Sequence, residues 1–144
     1  MKKVSRKFRL ATVLKIAKAE EEKQQMVTAD ALRVREAAAA LEAAREAAYA
    51  AREAGGSGPV STALFEQLTQ SAQLKAEALH VAHNESIDAA TRVELAREEL
   101  AARARKTHTL EDLEERHNVA YAVHAALAAQ RTLDDLVRFR KIGK

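Results

Sequence analysis

The groups in this chain that could do chemistry are few, and most are histidines. His80 and His83 lie three residues apart, so on a helix they share a face and could fill two positions around a metal ion. The chain has no cysteine, so a third ligand would have to be an Asp or Glu from another segment. His117 and His124 are seven apart, the repeat of a coiled-coil stripe, which reads as seam or partner-facing packing rather than catalysis. Gly55-Gly56-Ser57-Gly58 has the glycines of a phosphate loop but not its lysine or flanking strand. The neighbouring carboxylates Glu98 and Glu99 imply no acid–base pair, because nothing around them forms a cleft that would drive their pKa values apart. No catalytic residue, cofactor or metal is expected, and the chain reads as a non-enzyme.

The elements that carry these residues explain the poverty of sites. Of 144 residues, 47% are nominally hydrophobic, but much of that is alanine; Trp is absent, with three Phe and two Tyr. Such a chain cannot fill a layered core at interior density. Ala, Leu, Glu, Lys, Arg and Gln are instead the strongest helix formers, and the profile fits a long helix or coiled coil. Three of the four glycines and the only proline fall within Gly55–Pro59. The reading is therefore all-α: one domain over 1–144, a long antiparallel two-helix coiled-coil hairpin with unequal arms.

Helix one is expected over about 5–54, the turn over 55–60 and helix two over about 61–140. Gly55 suits the left-handed residue that ends a helix, Ser61 the N-cap, and Val60 with Phe65 the hydrophobic staple. A seven-residue count predicts a first seam through Val13, Ala17, Glu20, Gln24, Val27, Ala31, Val34, Ala38, Leu41, Arg45 and Ala48, best from Val27 to Leu41. The second runs through Leu68, Ala72, Lys75, Leu79, Ala82, Ser86, Ala89, Val93, Ala96 and Leu100. Thr107-His108-Thr109 suggests a kink or restart with a phase shift before Leu110.

Folding back about the turn predicts Phe8 beside His108, with everything beyond about Leu110 unpartnered. That second arm, of about 120 Å against about 70 Å for the first, still carries Leu110, Leu113, Leu127, Leu133 and Val137, whose exposure asks for another surface. Tyr49 and Phe65 are expected to face each other across the turn, as a packed lid or as anchors for a partner.

Net charge is +3, unevenly spread. Seven basic residues and no acid lie within Met1–Lys18, and the last seven residues hold Arg138, Arg140, Lys141 and Lys144 without an acid. Folding back brings both clusters toward one end, favouring acidic protein surfaces, headgroups or nucleic acid. No zinc finger, helix-turn-helix or zipper-length dimer accompanies them, so nucleic acid ranks low. The N-terminal residues lack the apolar run of a signal peptide, no run reaches a membrane span, and a soluble cytoplasmic protein is expected.

The opening Arg6-Lys7-Phe8-Arg9-Leu10-Ala11-Thr12-Val13-Leu14-Lys15-Ile16, the run Glu20-Glu21-Glu22-Lys23-Gln24-Gln25, the block Leu110-Glu111-Asp112-Leu113-Glu114-Glu115-Arg116 and the closing Leu133-Asp134-Asp135-Leu136 with its basic tail resemble the flagellar export protein FliJ family. The resemblance covers nearly the whole chain. It implies an antiparallel coiled coil similar to the central stalk of rotary ATP synthases, non-enzymatic and peripherally associated with the inner membrane at the flagellar type III export apparatus. It implies contact with the hexameric export ATPase through Lys3, Arg6, Arg9, Leu10, Leu133, Val137, Arg138 and Arg140. Contact with the cytoplasmic part of the membrane export gate would fall to exposed residues nearer the hairpin, for which Tyr49 and Phe65 are the candidates by position. Export chaperones are further partners of the family. The residues leave open the equivalent stalk of a virulence-type secretion system, a structural coiled coil that self-associates through its longer arm, and a basic nucleic-acid-binding protein.

Overall fold

The computed structural model describes residues 5–51 and 58–142. They form two helices, α1 (Ala11–Ala50) and α2 (Thr62–Ile142), packed antiparallel as an all-α hairpin whose helices differ twofold in length, 40 residues against 81.

The helix limits follow local chemistry. Helix α1 starts six residues after Ser5, which accepts a hydrogen bond from the Lys7 amide and so closes a local turn instead of a helix. The positive end of a helix dipole disfavours cations, and the helix begins only after Arg6, Lys7 and Arg9 have passed. The Leu10 carbonyl accepts the first helical bond, from Leu14. The expected stop at Gly55 lies outside the described residues; α1 ends at Ala50. At the other helix, the Ser61 hydroxyl accepts from the Leu64 amide at 3.3 Å, the N-cap bond expected of it. Val60 and Phe65 are both more than half exposed.

No restart interrupts α2. Thr107 and Thr109 turn their hydroxyls back to the carbonyls of Arg103 and Arg105, four residues earlier, which satisfies them inside a helix without breaking it. Nor is there a phase shift. Partly or fully buried positions continue through Ala96, Leu100, Arg103, Thr107, Leu110, Glu114, His117 and Tyr121 in steps of three and four, Thr107 occupying an ordinary seam position at 5% exposure.

The first seam needs a different correction. Ala17, Glu20, Gln24, Ala31 and Ala38 are buried or half-buried as expected, but the other positions are Leu14, Thr28, Glu42 and Tyr49, each one residue beyond the predicted one. Val13, Val27, Val34 and Leu41 are 41–51% exposed along the rim. The stretch expected to be best packed is only thinly buried, because the large side chains sit beside the interface and small ones within it.

The contacts divide the chain into two compact units. One comprises residues 23–101. Val93 is its only fully buried large side chain among the described residues, flanked by Ala82, Ala89 and Ala96. Gln24 Nε2 donates to the Ala96 carbonyl at 3.3 Å, and Thr28 lies over the same turn. The other unit joins the residues up to Glu22 with those from Ala102. Its buried cluster is Leu14, Ala17 and Leu110, bordered by Lys18–Glu111 at 2.9 Å and Arg103–Glu20 at 3.3 Å.

Candidate docking surface

Within the unit that joins the residues up to Glu22 with those from Ala102, the described residues before α1 reach α2 at His117. The Phe8 ring lies 5.6 Å from the His117 ring at an interplanar angle of 45°, and His117 Nε2 is buried there without a hydrogen-bond partner. The sequence had placed Phe8 beside His108. The actual register lies about nine residues further along, because the first ten residues of α2, Thr62 to Ser71, are all exposed and α1 does not lie against them. Leu110, expected at the start of the unpartnered arm, is consequently 9% exposed beneath Leu14 and Ala17.

Beyond Tyr121 the helix is uncovered: every residue from 122 to 141 is exposed. Val119, Val123, Leu127, Leu133, Leu136, Val137 and Phe139 show 46–75% of their surface. Between Arg116 and Arg131 the sequence has no Asp, Glu, Lys or Arg, and Val119–Val123 and Ala125–Ala129 are apolar at every step. A helix apolar on all sides is one that other protein surrounds. Single exposed leucines mean nothing, but a run of this length marks an interaction surface.

The described candidate ATPase-contact residues are exposed, but they do not gather at one point. Arg6, Arg9 and Leu10 flank Phe8, and Leu10 is 39% exposed. Arg138 lies twenty-one residues past His117, about 32 Å further along the helix. Leu133 and Val137 are 62% and 57% exposed, and Arg140 is exposed beside them. Lys3 lies outside the described residues. The two basic clusters thus flank the uncharged segment at separate levels.

The other candidate pair also separates. Tyr49 lines a groove with Glu42, Glu46, Ala76, Leu79, His80 and His83. Phe65 lies eleven residues before Ala76, about 16 Å along the helix, and is 62% exposed. The same register offset that moved Phe8 parts them. Phe65 belongs instead to an exposed apolar start of α2 with Leu64, Leu68 and Leu74, which sequence reasoning missed because it centred the hairpin on its turn.

In that groove Glu42 reaches across from α1 to His83, Oε1 to Nδ1 at 2.5 Å. A carboxylate only accepts, so Nδ1 carries the proton. Hydrogen bonds from His83 and then Ser86 hold the Glu42 carboxyl below the usual range. His80 instead contacts Asn84, and no group of three His, Asp or Glu positioned for a metal occurs among the described residues. Lys18 is raised and Glu111 lowered by their mutual hydrogen bond, the ordinary signature of a surface ion pair. No described helix is long and apolar enough to cross a membrane.

A two-helix all-α hairpin whose longer helix ends in an uncovered apolar segment belongs to the class of coiled-coil proteins, with a candidate docking surface at that end. The family model described as Flagellar FliJ protein matches residues 6–144, and the chain belongs to that family, a structural component of the flagellar protein-export apparatus with no known enzymatic activity. No curated protein and no solved structure matches the chain significantly.

Proposed function

We propose that this chain is a non-enzymatic stalk of the flagellar export apparatus, whose uncovered α2 end enters the hexameric export ATPase. The observation that carries the reading is the exposed segment beyond Tyr121, apolar around its circumference in the middle and bordered by Arg138, Arg140 and Lys141 at its end. A ring suits such a surface because it can cover every side of a helix, whereas a groove covers one. In this reading Arg6, Arg9 and Leu10 meet the mouth of the ring, with Leu133, Val137, Arg138 and Arg140 deeper inside. Lys3 would extend the first group.

The export gate falls in this reading to the unit of residues 23–101, with Phe65 as the anchor. Tyr49, half-buried in its groove, serves there as support. Export chaperones are further partners, and the protein sits in the cytoplasm, peripherally associated with the inner membrane through these contacts.

Reversing Arg6, Arg9 and Arg138 to Glu tests the tip assignment. Stimulation of the export ATPase is expected to disappear while far-UV circular dichroism stays unchanged, since none of the three packs in a core. Undiminished stimulation by the helical variant would refute it.

A further inference from the structure

We propose that the uncovered end of α2 pairs antiparallel with the same segment of a second copy of this chain. The proposal stands on the charge order around the uncharged segment, and it does not depend on the ATPase reading. The acids Glu111, Asp112, Glu114 and Glu115 precede that segment, and the cations Arg138, Arg140 and Lys141 follow it. Just inside these blocks the signs invert, with Arg116 on one side and Asp134 and Asp135 on the other. Read backwards with signs exchanged, the two flanking charge blocks correspond, with Arg131 unmatched opposite Tyr121.

The face follows from the heptad. Asp112, Val119, Ala126, Leu133 and Arg140 recur every seven residues and so form one stripe. The face turned to α1 carries Leu110, Glu114, His117 and Tyr121. Val119 lies two residues beyond His117, about 200° around the helix, and is 57% exposed. Asp112, likewise two residues beyond Leu110, is half-buried with its carboxylate 3.8 Å from His108 Nε2, so from Val119 onward α1 does not obstruct the stripe. Antiparallel pairing centred on Ala126 brings Asp112 to Arg140, Val119 to Leu133 and Ala126 to itself, and leaves Arg116 within a turn of Asp134 and Asp135. Each contact then occurs twice, as a two-fold axis requires. Parallel pairing would set acids on acids and cations on cations. Alanine at the centre lets the backbones approach closely. This pairing covers Leu133, Val137 and Arg140, so a paired copy cannot present them to another partner.

The test uses the full chain alone. Sedimentation velocity from low to high micromolar concentration should show a monomer–dimer equilibrium that weakens with salt. Because the chain has no cysteine, Ala126→Cys should yield a disulfide-linked dimer on mild oxidation. Phe139→Cys should not, since antiparallel pairing holds the two copies of position 139 about 40 Å apart. Asp112→Arg and Arg140→Asp should each weaken the dimer about tenfold, and an equimolar mixture of the two should regain it by pairing unlike charges at both ends. A monomer at every concentration would overturn the proposal, as would self-linking of Phe139→Cys equal to that of Ala126→Cys. So would a monomer whose Ala126→Cys thiol is shielded only when the export ATPase is added, an outcome that would give the face to that partner.

Discussion

Glu42 shows how a carboxyl can reinforce a helix pair where the core is thin, beside buried Ala82. It lies opposite His83 at a level where the adjoining α1 residues are mostly exposed, so the hydrogen bond at 2.5 Å substitutes for packing. Its pKa is lowered from the ordinary 4.5 by His83 and then Ser86. A depressed carboxyl contributes stability that is present above its unfolded value and is lost as pH falls through the folded value. The thermal midpoint of the native chain is therefore expected to drop more steeply below about pH 4.5 than that of Glu42→Gln. Glu42→Gln should be the less stable protein near neutrality, and the two should converge in acid. Circular dichroism melts from neutral pH to pH 3 check this. Parallel curves would mean that Glu42 is no better bound in the folded than in the unfolded chain.

At the scale of the helices, energy is concentrated where large side chains are scarce. Val93 is completely buried while its seam neighbours Ala82, Ala89 and Ala96 are alanines, so it supplies most of the apolar bulk at that level. Val93→Ala is expected to cost about 2 kcal/mol. Val34→Ala, at a site 51% exposed, should cost less than half as much. Urea denaturation should show the midpoint falling for the first variant with the slope retained. Equal losses would mean that the helices pack through the rim. This distribution also explains what could be read from the residues. Although Leu68 and Lys75, also counted into the second seam, are exposed, the two helices, the Ser61 cap and that seam from Leu79 to Leu100 were legible because glycine, proline and 3–4 spacing act locally. The register was not, because an alanine seam accepts several alignments with nearly equal burial. Polar Thr28 looks unfit for an interface, so the count moved to the neighbouring Val27. Of the candidate docking surface, the long apolar end of α2 was legible from helix lengths alone. The parting of Tyr49 from Phe65 and of the two basic clusters depended on that register.

At the scale of the whole molecule, the chain combines helical segments that are held by packing with segments that are held by propensity alone. Residues 89–110 of α2 are buried on one side by α1, whereas residues 122–141 are exposed throughout and rely on helical hydrogen bonds, local side-chain bonds such as Thr132 to the Ala128 carbonyl, and a high alanine content. A helix of about twenty residues without tertiary contacts is marginal in water, and its opening does not require the hairpin to unfold. Native-state hydrogen exchange on a dilute sample should therefore show amides 122–141 exchanging at least about a hundredfold faster than amides 89–110. The gap should survive mild stabilising salt, since salt does not supply the missing partner. Raising the protein concentration, or adding a molecule that covers the segment, should slow exchange there and leave 89–110 unchanged, because only the first set of amides depends on an outside surface. Equal protection of both regions in a demonstrably monomeric sample would mean that the end of α2 is stable by itself, and its apolar surface would then no longer imply a partner.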